Sequence, residues 1–149
     1  MRPFVPPDVT AGAAPPNARR IMIPVRFADV DGMRHVNNAK YLTYSEEART
    51  RWAIEDLSAA GLDEITFILA RAEVDFLAAA RLGDTVQVDM WVPRIGTKSW
   101  DFAYVLSRAD GTVLARLQTT QVAFDYAAER SIALPDRYRS ALRELLPPE

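Results

Sequence analysis

The chain has 149 residues and a formal net charge of −2, with no cysteine and a single histidine, His35. This length fits one domain. The composition excludes a disulfide framework, a cysteine nucleophile, a thiolate zinc site and a multi-histidine metal site. The slightly acidic balance argues against electrostatic binding to nucleic acid or to a membrane. Since no apolar run approaches the roughly 20 residues that span a bilayer, and no signal-peptide core is present, we expect a cytoplasmic protein.

The N-terminal segment differs in composition from the rest of the chain. Five of the ten prolines fall in residues 1–19, which predicts a flexible or extended tail. A single domain over residues 20–149 is expected to follow. Its first strand is indicated by alternating apolar residues, with Pro24 at an edge or a bulge. Those residues are Ile21, Ile23, Val25 and Phe27.

Residues 39–58 have helical periodicity. One apolar face carries Tyr41, Tyr44, Ala48 and Trp52, and Leu42, Ala53 and Leu57 widen the arc. So wide an arc predicts a helix that is largely enclosed by other structure. Gly61 is expected to end it as a C-cap.

The remainder alternates as strands do. Apolar alternation over 68–76, 86–92 and 100–106 predicts three strands, and Asp110-Gly111 signals a hairpin turn. The last strand opens at Val113. A switch of apolar parity to Val122 and Phe124 predicts a bulge near 119–121. After Pro135 a short helix is expected, so the fold class is α+β, with a curled antiparallel sheet wrapped around one helix.

Polar residues are concentrated in the loop that leads into the predicted helix. These are Asp29, Asp31, His35, Asn37 and Asn38. A helix N-terminus presents unpaired N–H groups and the positive end of the helix dipole, which can stabilise a developing oxyanion. A nearby carboxylate can act as a general base or a nucleophile.

This segment resembles the 4-hydroxybenzoyl-CoA thioesterase branch of the hotdog-fold superfamily. The typical run, Asp-x-Asp-x-x-Gly-His-Val-Asn-Asn-x-x-Tyr-x-x-Tyr-x-Glu-x-Ala-Arg, is matched without a gap from Asp29 to Arg49. Similar runs follow at Phe76, Gly83-Asp84, 95–99 and Phe124-Asp125, and His35 to Tyr41 is also similar to plant acyl-carrier-protein thioesterases. One departure is Arg34, which stands where the family has glycine. We therefore expect a different path for the loop backbone.

The resemblance implies hydrolysis of an acyl-CoA or acyl-carrier-protein thioester to a carboxylic acid and free thiol. It implies no metal or bound cofactor, and a site completed between subunits of a homodimer or a dimer of dimers. Two alternatives are a hotdog hydratase or dehydratase acting on an enoyl thioester, and a non-catalytic acyl-CoA-binding protein. Release of free thiol separates hydrolysis from both.

The resemblance also assigns roles to single residues. Asp31 is the expected catalytic carboxylate, the alternative being a turn or capping aspartate, and the Asn38 N–H is the expected oxyanion donor. His35 is expected to hold Asp31 or protonate the thiolate, and Asn37 to orient water or cap the helix.

The remaining expectations concern support and ligand contacts. Asp29 is expected to be structural, and Glu46, inside the apolar arc, to pair with Arg49, the alternative being that Glu46 positions water or the partner subunit's loop. Candidate CoA contacts are Arg94 and Lys98, ranked above Arg71 and Arg81. Arg34 is a further candidate, as a cation that reaches a ligand, and Tyr41 is expected to line an acyl pocket or simply to belong to the core.

Overall fold

The computed structural model describes residues 13–57 and 65–149, which form one antiparallel sheet and two helices. Strands follow the order β1-β3-β4-β5-β2, so that β1 and β2 lie at the edges. The strands are β1 (Arg19–Pro24), β2 (Phe67–Phe76), β3 (Thr85–Ile95), β4 (Ser99–Ser107), β5 (Val113–Asp125) and the short β6 (Arg130–Ser131), which pairs with β5. The helices are α1 (Asn38–Asp56) and α2 (Asp136–Arg143), and a 3₁₀ turn covers Phe27–Asp29.

Helix α1 packs on one face of this sheet through large aromatic side chains. Trp52 is fully buried, and its ring centroid lies 5.2 Å from that of Phe102 and 6.3 Å from that of Trp100. Tyr138 of α2 packs on Trp100 at 5.9 Å. Offset and edge-to-face contacts of this kind add to the free energy of burying the rings. The predicted architecture, a hotdog fold with one long helix against an antiparallel sheet, is confirmed.

Two details of the strand prediction are wrong. Strand β1 ends at Pro24 rather than reaching Phe27, whose side chain is 83% exposed in the 3₁₀ turn. Pro24 does lie on an edge strand, where its missing N–H costs no ladder bond.

The bulge predicted in the last strand lies instead on its neighbour. In β5 the buried positions keep one parity through Thr119, Gln121 and Ala123, so polar side chains take inward positions. The extra residue is Ala70 of β2, because Leu69 pairs with Gln121 and Arg71 with Thr120. The bulge was predicted in the wrong strand because the apolar pattern treats polar residues as exposed, whereas Thr119 and Gln121 are buried and hydrogen-bonded to each other.

The loops that connect the strands and helices lie at two opposite ends of the sheet, and the candidate site lies at one of them. At the end where α1 begins, Val25 N–H donates to Asp84 O at 2.9 Å and Leu77 N–H to Leu114 O at 2.8 Å. We call this the helix-start end. At the opposite end lie the β3–β4 turn, β6 and α2. The predicted hairpin at Gly111, with φ of +86°, belongs to the helix-start end.

Three further sequence expectations concern the N-terminal tail, the end of helix α1 and membrane-spanning segments. Within the predicted tail, the Asn17 side chain donates to the carbonyl oxygens of Glu144 and Leu146 at 3.0 and 2.7 Å, while residues 1–12 lie outside the described residues. Gly61, the expected C-cap, also lies outside them. Neither helix of the described chain is both long enough and apolar enough to cross a membrane.

Candidate active site

The loop that carries Asp31 and His35 is a small hairpin. Val30 and Val36 form an isolated antiparallel bridge, within which Asp31 N–H donates to His35 O at 2.9 Å and Arg34 N–H donates to Asp31 O at 3.0 Å. This is the pattern of a tight turn followed by a residue in the left-handed region, a position that favours glycine. Arg34 occupies it, with φ of +65°.

The expected departure of the loop path from that of the family stays a prediction. The arginine adopts the left-handed conformation that a glycine would adopt more easily. Gly32 does not take over that role, since its φ is not positive and an added Cβ would meet nothing within 4 Å. The Arg34 side chain is exposed.

Asp29 anchors both ends of this loop. It is 1% exposed, and its Oδ2 accepts from the Arg26 N–H at 3.0 Å and from the Tyr44 hydroxyl at 2.9 Å. Its main-chain carbonyl accepts from the Asn37 N–H at 2.8 Å. The geometry fits the structural role expected for Asp29.

Burial alone would raise the pKa of Asp29. The donated hydrogen bonds from Arg26 N–H and Tyr44, with the nearby charges of Arg26 and Lys40, outweigh burial and hold the pKa below its usual value. Burial and the adjacent carboxylate raise the pKa of Tyr44. Asp29 is thus held ionised and Tyr44 protonated at neutral pH.

Asp31 is half-buried at the tip of the hairpin. Its Oδ1 accepts from the Met33 N–H at 2.9 Å, which closes an Asx turn. No group among residues 13–57 and 65–149 donates to Oδ2. One oxygen therefore holds the turn and the other is available to a ligand or water. The expected bond between His35 and Asp31 side chains is not formed, and His35 lines the neighbouring cleft instead.

The start of α1 leaves one main-chain donor free. The Asn37 Oδ1 caps Ala39 N–H at 2.9 Å, Asn37 O accepts from Lys40 N–H at 2.8 Å, and Asn37 N–H is used by Asp29. Asn37 is therefore the helix N-cap, one of the two roles considered for it. The Asn38 N–H has no acceptor in the part of the chain that the structure describes.

That free N–H belongs to a residue that lines a cleft of about 260 Å³. One wall is formed by the hairpin and α1, and the other by the chain that leaves β2. The lining residues are His35, Val36, Asn38, Tyr41, Phe76, Leu77, Ala78 and Ala79. The cleft thus combines a helix N-terminus with mostly apolar walls.

Tyr41 joins the two walls. Its hydroxyl accepts from the Ala80 N–H at 3.2 Å and lies 3.5 Å from Ala78 O, and its ring packs on Phe76 at 5.5 Å between centroids. Val36 N–H also donates to Ala80 O at 2.8 Å. Tyr41 lines the cleft and also belongs to the buried core, and its hydroxyl is committed to backbone groups. No side-chain motif could reveal the segment 78–80, since it contributes through its main chain.

Arg94 and Lys98 are not brought together with the cleft within one chain. They flank the β3–β4 turn, while the cleft lies beside the start of β3, an 11-residue strand. At about 3.3 Å per residue, this separation is on the order of 30 Å. The Arg94 guanidinium is also committed, since it donates to both Asp101 oxygens at 2.9 and 3.0 Å.

The expected ion pair between Glu46 and Arg49 is absent. Glu46 is exposed in the single chain. Arg49 is 5% exposed, and its Nη1 donates to Ser45 Oγ at 3.1 Å and to the Tyr104 hydroxyl at 3.2 Å. The two side chains, three residues apart, point to different surroundings because α1 buries only the face that contains Ser45 and Arg49.

Comparison with known proteins shows which family the chain resembles. The family model described as the thioesterase-like superfamily matches residues 25–142. The chain is 27% identical over 129 residues to the long-chain acyl-CoA thioesterase FadM of Escherichia coli (strain K12), covering 83% of this chain and 96% of the relative. It is 28% identical over 126 residues to the 1,4-dihydroxy-2-naphthoyl-CoA hydrolase of Synechocystis, covering 81% and 91%.

A solved structure supports the same family. A thioesterase from Thermus thermophilus, complexed with coenzyme A and Zn, superposes with a TM-score of 0.77 at 33% identity, covering 87% of this chain and 93% of that one. Among the described residues of the present chain, no group of three or more His, Cys, Asp or Glu side chains has the placement of a metal site. The chain belongs to the thioesterase-like superfamily.

Proposed function

We propose that the protein is an acyl-CoA thioesterase that hydrolyses a thioester to a carboxylic acid and free CoA. The observation that carries this proposal is that Asn38, whose N–H has no acceptor among the described residues, lines a cleft at the start of α1 and follows a loop that also holds the Asp31 carboxylate. The relatives named as acyl-CoA hydrolases support the same reaction.

The proposed reaction uses the backbone and one side chain. The thioester carbonyl oxygen accepts from the Asn38 N–H, whose position at the helix N-terminus stabilises the oxyanion of the tetrahedral intermediate. The Asp31 carboxylate either removes a proton from the attacking water or itself attacks the carbonyl carbon, giving an anhydride that water hydrolyses. Collapse expels CoA thiolate, which takes up a proton from solvent or from His35. Neither route requires a cofactor.

The experiment is turnover of an acyl-CoA panel, with free thiol measured as product. We expect Asp31→Asn to lower kcat by about 10²- to 10⁴-fold, the usual contribution of a positioned base. The variant keeps an oxygen that accepts from the Met33 N–H, so the turn should persist. Asp125→Asn is the matched control, since Asp125 Oδ1 likewise accepts turn N–H groups, from Ala127 and Ala128 at 3.0 Å, at the opposite end of the sheet.

Three results would each contradict the proposal in whole or in part. Undiminished thiol release by Asp31→Asn removes Asp31 from the chemistry. Loss of enoyl absorbance without thiol release would instead indicate hydration, and ligand-induced thermal stabilisation without turnover would indicate a binding protein.

We also propose that the working unit is a homodimer or a dimer of dimers. Strand β2 supports this, because it is an edge strand with no buried residue, and Leu69 and Phe76 on it are 46% and 48% exposed. Unpaired strand edges with apolar side chains favour association. Light scattering at micromolar concentration should give at least twice the 16.7 kDa chain mass. A monomer would contradict this assembly.

A further inference from the structure

We propose that a pocket next to the cleft binds a phosphate group of the CoA part of the substrate, an inference that rests on the proposed thioesterase function. The pocket encloses about 490 Å³, and Arg81 and Arg108 both line it. It lies at the helix-start end, because residues 81–85 lead into β3 and residues 108–110 connect β4 to β5.

The pocket and the cleft share a wall. Arg108 Nη1 donates to Ala79 O at 3.0 Å, and Ala79 lines the cleft. The next residue, Ala80, is held from the cleft side by Tyr41 and Val36. If the thioester carbonyl lies at the Asn38 N–H, the CoA part of the substrate can therefore extend across residues 79–80 into the pocket.

The two arginines retain free donors. Arg81 is exposed, and its guanidinium makes no hydrogen bond or ion pair within residues 13–57 and 65–149. Arg108 forms an ion pair with Asp110, whose Oδ1 lies 3.6 Å from the buried Nε, and its Nη1 is used by Ala79 O, so that Nη2 is the donor without a hydrogen bond among the described residues. Guanidinium groups match the geometry of phosphate oxygens and bind them with charge-assisted hydrogen bonds.

Two carboxylates in the pocket are already engaged by the turns that carry them. Asp84 Oδ2 accepts from the Arg81 N–H at 2.9 Å, and Asp110 Oδ1 accepts from the Thr112 N–H at 2.9 Å. The Thr112 N–H holds the pKa of Asp110 below its usual value. These contacts shape the two turns, and the ion pair with Arg108 occupies Asp110 further, while Arg81 lines the pocket without an ion pair among the described residues.

The test compares three thioesters of one acyl group: the CoA ester, the dephospho-CoA ester, which lacks the 3′-phosphate, and the pantetheine ester, which has no phosphate. For Arg81→Gln and Arg108→Gln we expect KM for acyl-CoA to rise roughly tenfold, the loss of one charge-assisted contact, with kcat little changed. KM for acyl-pantetheine should stay within about twofold of the wild-type value. The dephospho-CoA ester identifies which phosphate binds. If the 3′-phosphate binds in the pocket, the variants and the wild type should have the same KM for this ester. If the pyrophosphate binds there, the tenfold difference in KM should remain.

Arg130→Gln is the control variant, since Arg130 is an exposed cation on β6 at the opposite end. An unchanged KM for acyl-CoA in both pocket variants would overturn the proposal, as would equal effects on acyl-CoA and acyl-pantetheine. Arg81→Gln removes no hydrogen bond of the described side chains, so it tests the pocket even if Arg108→Gln unfolds. If the wild type hydrolyses none of the three esters, the thioesterase proposal fails on its own. Calorimetric binding of CoA then tests the pocket, and equal affinity for wild type and Arg81→Gln would overturn it.

Discussion

Replacing Arg34 by glycine is expected to stabilise the protein. Arg34 has φ of +65°, and the left-handed region costs an L-residue about 1–2 kcal/mol. Glycine avoids this cost but loses more chain entropy on folding, which offsets about 0.5–1 kcal/mol. The net expectation for Arg34→Gly is a gain of up to about 1.5 kcal/mol in the free energy of unfolding, and each 1 kcal/mol raises Tm by about 2–4 °C for a chain of this size.

The controls separate backbone strain from side-chain effects. Arg34→Ala removes the guanidinium but keeps a Cβ at positive φ, so it should not stabilise the fold. Gly32→Ala should add about 0.4–1 kcal/mol, because its new Cβ meets nothing within 4 Å and the unfolded chain becomes less flexible. Urea unfolding at neutral pH measures all three variants. Equal stabilisation by Arg34→Ala and Arg34→Gly would refute the reasoning, since the side chain rather than the backbone would then be the cause.

Three other results are expected. Tyr44→Phe removes a hydrogen bond to the buried Asp29 carboxylate and should cost about 1–3 kcal/mol at pH 7. Because the pKa of Asp29 is lower in the folded state, ionised Asp29 stabilises the fold at pH values above its ordinary pKa, and this contribution is lost as the pH falls through the lower folded-state pKa. The cost of Tyr44→Phe should therefore shrink toward pH 3. A cost that does not change with pH in urea unfolding would contradict this reasoning. Glu46→Gln should change unfolding free energy by less than about 0.5 kcal/mol, because the side chain is exposed and unpaired with Arg49, and a larger loss would indicate a missed partner. Treatment with EDTA should leave thioester turnover unchanged, since the proposed roles belong to Asp31 and a main-chain N–H, and activity lost to EDTA and restored by a divalent cation would show otherwise.

Much of the local structure follows from sequence alone. The aromatic spacing of Tyr41, Tyr44 and Trp52 sets the buried face of α1, because residues three and four apart share a helix face. The periodicity predicts a helix over 39–58, and the helix runs from Asn38 to Asp56. Asn37 at the cap and Gly111 in the β4–β5 turn are also local features, since each acts within a few residues of chain.

The motif also places the candidate site. It brings Asp31, His35 and Asn38 to one loop, and in the structure they lie beside the cleft or on its wall. The motif could not supply the opposing wall, because segment 78–80 acts through backbone groups that carry no sequence signal.

Tertiary structure decided which charged groups meet. Arg94 and Lys98 are as basic as Arg81 and Arg108, and only the strand order puts the first pair at the opposite end and the second at the helix-start end. Pairing of this kind depends on the register of strands that are distant in sequence.

The same limit explains the error at Glu46 and the behaviour of Arg34. A helical wheel groups Glu46 with apolar neighbours, but whether a side chain is buried depends on what the sheet covers, and the sheet covers Arg49 instead. The sequence determined on its own that a polar loop precedes an amphipathic helix in an α+β fold. Only the packed structure decided that the turn contains an arginine at positive φ, because the Val30–Val36 bridge and the Asp29 contacts hold the backbone on both sides of it.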